Sequence, residues 1–124
     1  MKKHFMHKEL AEGRWFTFPF ADQMGNIGSE VGRAAKWQGK DERNFQGAVN
    51  RAVELFDLTL EDPRWKKQKR LFEISRAREL FCRAVEGDNE YETTLDDLDK
   101  YFLQFAIAAR QNISNTKYDI LNTK

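Results

Sequence analysis

Three glycines inside one amphipathic pattern constrain this chain more than any other feature. Residues 20–38 read F-ADQMGNIGSEVGRAAKW-Q. At 100° per residue, Phe20, Met24, Ile27, Val31 and Ala34 form an apolar ridge. Beside it Ala21, Gly25, Gly28, Gly32 and Ala35 form a stripe with no side chain larger than methyl. Asp22, Asn26, Ser29, Glu30, Arg33 and Lys36 fall on the opposite, polar arc. Each glycine costs a helix about 1 kcal/mol relative to alanine, so three forgo about 3 kcal/mol. A second helix backbone approaching along the small stripe would offset that cost. The approaching helix is either another of this chain's own or one from a neighbouring subunit, so Gly25, Gly28 and Gly32 are expected at a helix-packing interface.

The remaining periodicity fits around this helix as an all-α, four-helix bundle of mostly antiparallel neighbours in one domain of 124 residues. Residues 1–13 are polar without clear period, a lead-in or short helix. Arg14-Trp15-Phe16-Thr17-Phe18-Pro19-Phe20 is an aromatic arm that either seals the bundle's end or inserts into a partner. After a polar turn at Gly39-Lys40-Asp41, a second helix over about 41–61 turns Phe45, Val49, Ala52, Val53, Phe56 and Leu60 inward. Asp62-Pro63 reads as N-cap and first helical position of a third helix over 63–86. Leu71, Ile74, Phe81, Cys82 and Val85 form its inner face, and Gly87 its stop. Residues 88–93 are an acidic connection. Thr94 with Asp97 is a capping-box variant opening a fourth helix, whose inner face is Leu95, Leu98, Phe102, Phe105, Ala106 and Ala109. The tail 111–124 loses periodicity, is Asn/Thr-rich and is expected frayed or conditionally ordered.

Hydrophobic residues make up 40% of the chain, including ten Phe and three Trp, enough to supply a core. The single Cys82 has no disulfide partner within the chain and is expected in the core, in a reducing compartment. No apolar run approaches the length of a membrane span, and MKKHFMHKEL lacks the apolar segment of a secretory signal. A cytoplasmic protein is expected. The match of Asn112-Ile113-Ser114 to a glycosylation acceptor is then fortuitous.

Few residue patterns carry chemistry. His4 and His7 are the only histidines and precede the periodic part of the chain. No zinc-type or phosphate-loop motif occurs, so no catalytic, cofactor-binding or metal-ligating residue is expected. Glu54, Asp57 and Glu61 share one helical face but lack the His that bundle metal sites pair with carboxylates; a solvated face explains them. Arg78 falls on the arc of Leu71, Ser75 and Cys82, so its guanidinium either meets a carboxylate or carbonyl or snorkels to the bundle edge.

The basic residues are the anomaly. Arg64, Lys66, Lys67, Lys69 and Arg70 place five positive charges in seven residues, around Trp65 and followed by Phe72. The positive end of a helix dipole disfavours that placement by tenths of a kcal/mol per charge, about 0.3 or more each. Residues 64–85 hold eight Lys/Arg against two Glu, a net of +6, which leaves −5 on the rest of a chain whose net charge is +1. Residues 86–99 hold seven acids and no base. With a third helix of about 34 Å, the two poles fall near opposite ends of the bundle. Solvation of a helix end, a phosphate-backbone contact with Trp65 stacking, and head-to-tail contact between subunits all fit this segregation.

The segments E-G-R-W-F-T-F-P-F-A-D-Q-M-G-N-I-G-S-E-V-G-R (Glu12–Arg33), A-V-E-L-F-D-L-T (Ala52–Thr59), D-P-R-W (Asp62–Trp65) and Y-F-L-Q-F-A-I-A-A-R (Tyr101–Arg110) resemble a family of short uncharacterised bacterial helical-bundle proteins. That resemblance implies the fold and carries no activity. At fold level the chain is also similar to bacterial four-helix-bundle accessory proteins that oligomerise beside reverse transcriptases or nucleotidyltransferases. The HEPN ribonuclease bundle is a further likeness, but its Arg-x4–6-His motif is missing. The resulting expectation is a non-catalytic, oligomeric accessory protein. Its partner would be RNA, single-stranded DNA or a nucleic-acid enzyme, bound through Arg64, Trp65, Lys66, Lys67, Lys69 and Arg70. A HEPN-like ribonuclease or antitoxin is the alternative.

Overall fold

A computed structural model describes residues 12–67, 69–87 and 93–122, with side chains as far as residue 111. The lead-in 1–11, with His4 and His7, and the acidic connection 88–92 lie outside the described residues. The chain is an all-α four-helix bundle: α1 (Phe20–Trp37), α2 (Glu42–Leu60), α3 (Lys69–Glu86) and α4 (Leu95–Asn122), preceded by a short 3-10 helix, Arg14–Thr17. Each helix runs antiparallel to the next. Among the described residues, no helix is long and apolar enough to cross a membrane.

Local chemistry sets several of the helix ends. Asp41 caps α2 by accepting the Asn44 backbone N–H at 3.1 Å. Thr94 and Asp97 form a reciprocal capping box at the start of α4: Thr94 N–H donates to Asp97, and Asp97 N–H donates to the Thr94 hydroxyl. α3 ends where Gly87 turns to a φ of 75° and its N–H donates to the Arg83 and Ala84 carbonyls. Two boundaries depart from expectation. α4 continues to Asn122 instead of ending near Arg110. Residues 111–122 contain neither Gly nor Pro, so losing the apolar period removes a packing face without removing the helix. α3 begins at Lys69, six residues later than the sequence pattern predicts.

α1 is the central helix, packed along its length by α4 on one side and α2 on the other. The small stripe faces α4. A β-carbon added at Gly25 would lie 3.6 Å from the Ala106 backbone, an ordinary contact. At Gly28 it would stand 2.6 Å from Cβ of Phe102, and at Gly32 2.9 Å from the Asp99 carboxylate. The glycines therefore let α4 approach within a side chain's thickness, and Phe102 uses the space. Phe102 in turn meets Phe56 edge-on, and Phe56 packs on Phe81, so α1, α2, α3 and α4 share one aromatic centre.

The polar arc of α1 needs a correction. Glu30, placed there by the periodicity, is buried; it accepts hydrogen bonds from Arg33 and from Arg51 Nε, the latter at 2.8 Å across the α1–α2 contact. Flanked by two helices, α1 buries more than the single stripe a surface helix would. Its charged residue on the α2 side is tolerated because it is paired.

These contacts rank the three glycines. Gly28→Ala forces Phe102 to move at its root and should lower stability by about 1–3 kcal/mol, and Gly28→Leu by more. Gly25→Ala, with room for a methyl, should leave stability unchanged or raise it by up to about 1 kcal/mol. Gly32→Ala should fall between them, since the far end of Asp99 can swing aside. Urea melts of the three variants check the order.

Candidate nucleic-acid interface

Asp62 decides the geometry of the basic segment, and not as the helix N-cap the sequence suggests. Its carboxylate is fully buried. It accepts the Arg64 backbone N–H at 3.0 Å, while Trp65 N–H donates to the Asp62 carbonyl at 3.1 Å. This is a β-turn with Asp at its first position and Pro63 at its second, the residues that turn favours. Arg64, Lys66 and Lys67 therefore lie in a turn ahead of α3, and Lys69 and Arg70 occupy its first turn, at the positive end of the dipole.

The turn is tied to the bundle by a buried polar cluster. Gln23 of α1 is wholly buried. Its amide N–H groups donate to the Trp15 carbonyl at 3.0 Å and to the Asp62 carboxylate at 2.9 Å, and its carbonyl accepts the Trp65 indole N–H at 2.8 Å. The Trp15 indole N–H donates to Thr59 of α2 at 3.0 Å, and the Thr59 hydroxyl donates to the Leu55 carbonyl. The aromatic arm thus packs on its own bundle, with Trp15 in the core. Arg64 closes the cluster, pairing with Asp62 at 2.7 Å and donating to the Phe18 carbonyl at 2.6 Å.

This cluster reassigns the predicted contact residues. Trp65, expected to stack on a base, is only 6% exposed; its ring meets Phe20 edge-on at 5.3 Å and its N–H is taken by Gln23. The Arg64 and Arg70 guanidinium carbons lie 4.4 Å and 4.8 Å from the Trp65 ring centroid, and Arg70 also covers Phe20 at 4.6 Å. Trp65 is the pedestal under the cations. Arg64 is held by Asp62. Lys66, Lys67, Lys69 and Arg70 are exposed, with no carboxylate partner among the described residues.

The sequence pattern puts Phe72 after the basic run without giving it a role. Lying on the far side of α3 from Ile74, it is 83% exposed, the most exposed large hydrophobic side chain among the described residues. The same helical rotation that turns Ile74 inward turns it out, so the signal was present. At the other end of α3, about 27 Å away for an 18-residue helix, Asp96, Asp97 and Asp99 open α4 as an exposed acidic turn.

The other candidates separate. Arg78 Nε donates to Asp57 at 2.9 Å, both side chains about one-third exposed. Cys82, expected in the core, is half-exposed and lines a polar cleft of about 450 Å³ with Asp57, Arg78 and Arg83, because it lies on the flank of α3. A second groove of about 420 Å³ runs between α3 and α4, where the Tyr101 hydroxyl donates to Glu73 at 2.7 Å. Burial, followed by that carboxylate, pushes the Tyr101 phenol well above its ordinary range. Among the described residues, no three His, Cys, Asp or Glu side chains come together to hold a metal ion. Comparisons with protein-family models, curated proteins and solved structures each gave no match.

Burial alone would raise the pKa of Asp62, but hydrogen bonds from Arg64 and Gln23 and the Arg64 charge hold it below the ordinary carboxylate range. Asp97 is held low by the Thr94 backbone N–H and hydroxyl. A pKa depressed on folding adds stability above the unfolded value and loses it as pH falls through the folded value. Asp62→Ala, which leaves Arg64 and Gln23 without their acceptor, should cost about 2–3 kcal/mol at neutral pH. In urea melts at decreasing pH the gap to wild type should narrow once the wild-type carboxylate is protonated.

Proposed function

We propose that this protein works by association and not by catalysis: an oligomeric, cytoplasmic accessory factor whose partner is nucleic acid or a nucleic-acid enzyme of the reverse transcriptase or nucleotidyltransferase type. The observation that carries the reading is the run of Lys66, Lys67, Lys69 and Arg70. These cations are exposed and lack acid partners among the described residues. Lys66 and Lys67 stand on a turn fixed from beneath by Trp65, Asp62 and Gln23, and Lys69 and Arg70 open α3 just beyond it. Cations held on a rigid support and left without carboxylates suit phosphate, which supplies the charge at each contact and releases counterions. The resemblance to bacterial helical-bundle accessory proteins supports the choice of partner class.

Affinity for single-stranded RNA or DNA should fall with salt, with a log–log slope of about −0.7 per phosphate contacted. Replacing Lys66, Lys67 and Lys69 together by Gln should flatten the slope and leave the thermal melt unchanged. Binding that ignores salt, or no binding, would remove the nucleic-acid reading. An altered oligomeric state in the triple variant, with nucleic-acid binding intact, would make the basic end a subunit contact.

The ribonuclease alternative is tested separately. Arg51 and Arg78 are engaged with Glu30 and Asp57. Incubation with RNA and single-stranded DNA, with and without divalent metal, should give no cleavage above a mock preparation. Cleavage lost in Arg51→Ala or Arg78→Ala would overturn the non-catalytic reading.

A further inference from the structure

We infer that Phe72 is the base-stacking residue of a single-strand nucleic-acid site on the solvent face of α3, an inference that rests on the nucleic-acid reading above. A phenyl side chain 83% exposed gives up most of the burial that normally holds such a ring. Among the described residues two other large apolar side chains, Leu103 and Ile107 of α4, are exposed, at 57% and 45%. Both are aliphatic and offer no ring to a base, whereas Phe72 is aromatic and directly follows the basic run. Lys69, three residues before it, and Arg76, four residues after it, lie on the same face of α3. Lys66 and Lys67 continue the positive surface into the preceding turn.

Arg76 is only loosely engaged. It lies 3.7 Å from Glu79, a carboxylate it shares with Arg83 at 3.1 Å, and all three side chains are at least half exposed. Such a pair yields readily to a phosphate. The face therefore offers one flat apolar ring between two cations, about 6 Å separating Phe72 from Arg76 along the helix. A ring of this kind accepts the π-face of any unpaired base while the cations take the flanking phosphates. Bases in a duplex already stack on one another, so the ring favours single strands.

The test uses fluorescence anisotropy with labelled oligouridine and with an RNA duplex of the same length, on the full-length protein. Phe72→Ala should weaken oligouridine binding about ten-fold. Its salt slope and its duplex affinity should match wild type, and Phe72→Trp should restore binding. An unchanged melting temperature keeps the comparison clean at so exposed a position. If Phe72→Ala binds oligouridine as wild type does while the Lys66/Lys67/Lys69→Gln variant does not, the nucleic-acid reading stands and the stacking role falls. If Phe72→Ala weakens single strand and duplex equally, or shifts the oligomeric state with affinity intact, the stacking role also falls. If wild type binds neither RNA, the nucleic-acid reading and the stacking role fall together.

Discussion

One buried amide holds the functional end of this molecule together. Gln23 has no contact with water, yet both of its N–H donors and its carbonyl find partners. The partners also fix its orientation, since a flipped amide would set its oxygen against a carbonyl and a carboxylate. A polar side chain buried without partners is expensive; with partners from two separate segments it specifies one arrangement of them. The segments are the aromatic arm, through Trp15, and the α2–α3 turn, through Asp62 and Trp65. Neither is regular enough to position itself. Their placement depends on a residue in the first turn of α1, the helix flanked by both α2 and α4.

That dependence changes the chemistry offered at the basic end. An indole beside five cations looks like a stacking platform when it is free, but here its N–H and its ring are spent inside the protein. Arg64, seemingly one cation among equals, is the counter-ion of a buried aspartate. What remains for a partner is Lys66, Lys67, Lys69 and Arg70, with Phe72 just beyond. The fold sorts the run into charges that build the end of the bundle and charges that face outward. Its other organising constraint, the small stripe of α1, is satisfied within the chain by α4, whose Phe102 fills the space that Gly28 leaves. The stripe therefore has an intramolecular use, independent of any oligomer.

Features encoded locally were legible in the sequence. The amphipathic period gave four helices, and the Thr94–Asp97 and Gly87 signals marked real ends, because each involves groups within four residues. Features that depend on distant partners were not. Asp62-Pro63 opens a β-turn as readily as a helix, and Gln23, 39 residues away, selects the turn. Glu30 reads as solvent-facing until Arg51, 21 residues on, is placed beside it. Cys82 falls on an apolar arc in the sequence pattern, but it sits at the edge of that arc, by Arg78, outside the core. Of the basic site, the charge density was visible; which aromatic faces outward was decided by the turn's geometry and by the rotation of α3.

The division of the basic end depends on Trp65 pointing inward to Gln23, and indole hydrogen exchange reads that directly. The chain has three tryptophans, and Trp37, partly buried at the end of α1 with no partner for its indole N–H among the described residues, serves as the internal reference. Two-dimensional NMR after transfer to deuterated buffer should show slow exchange of the Trp15 and Trp65 indole N–H groups and rapid exchange at Trp37. In Gln23→Ala the Trp65 signal should lose its protection first. A Trp65 indole exchanging as fast as that of Trp37 in the wild-type protein would contradict the buried cluster, and with it the division of the basic segment into supporting and outward-facing residues.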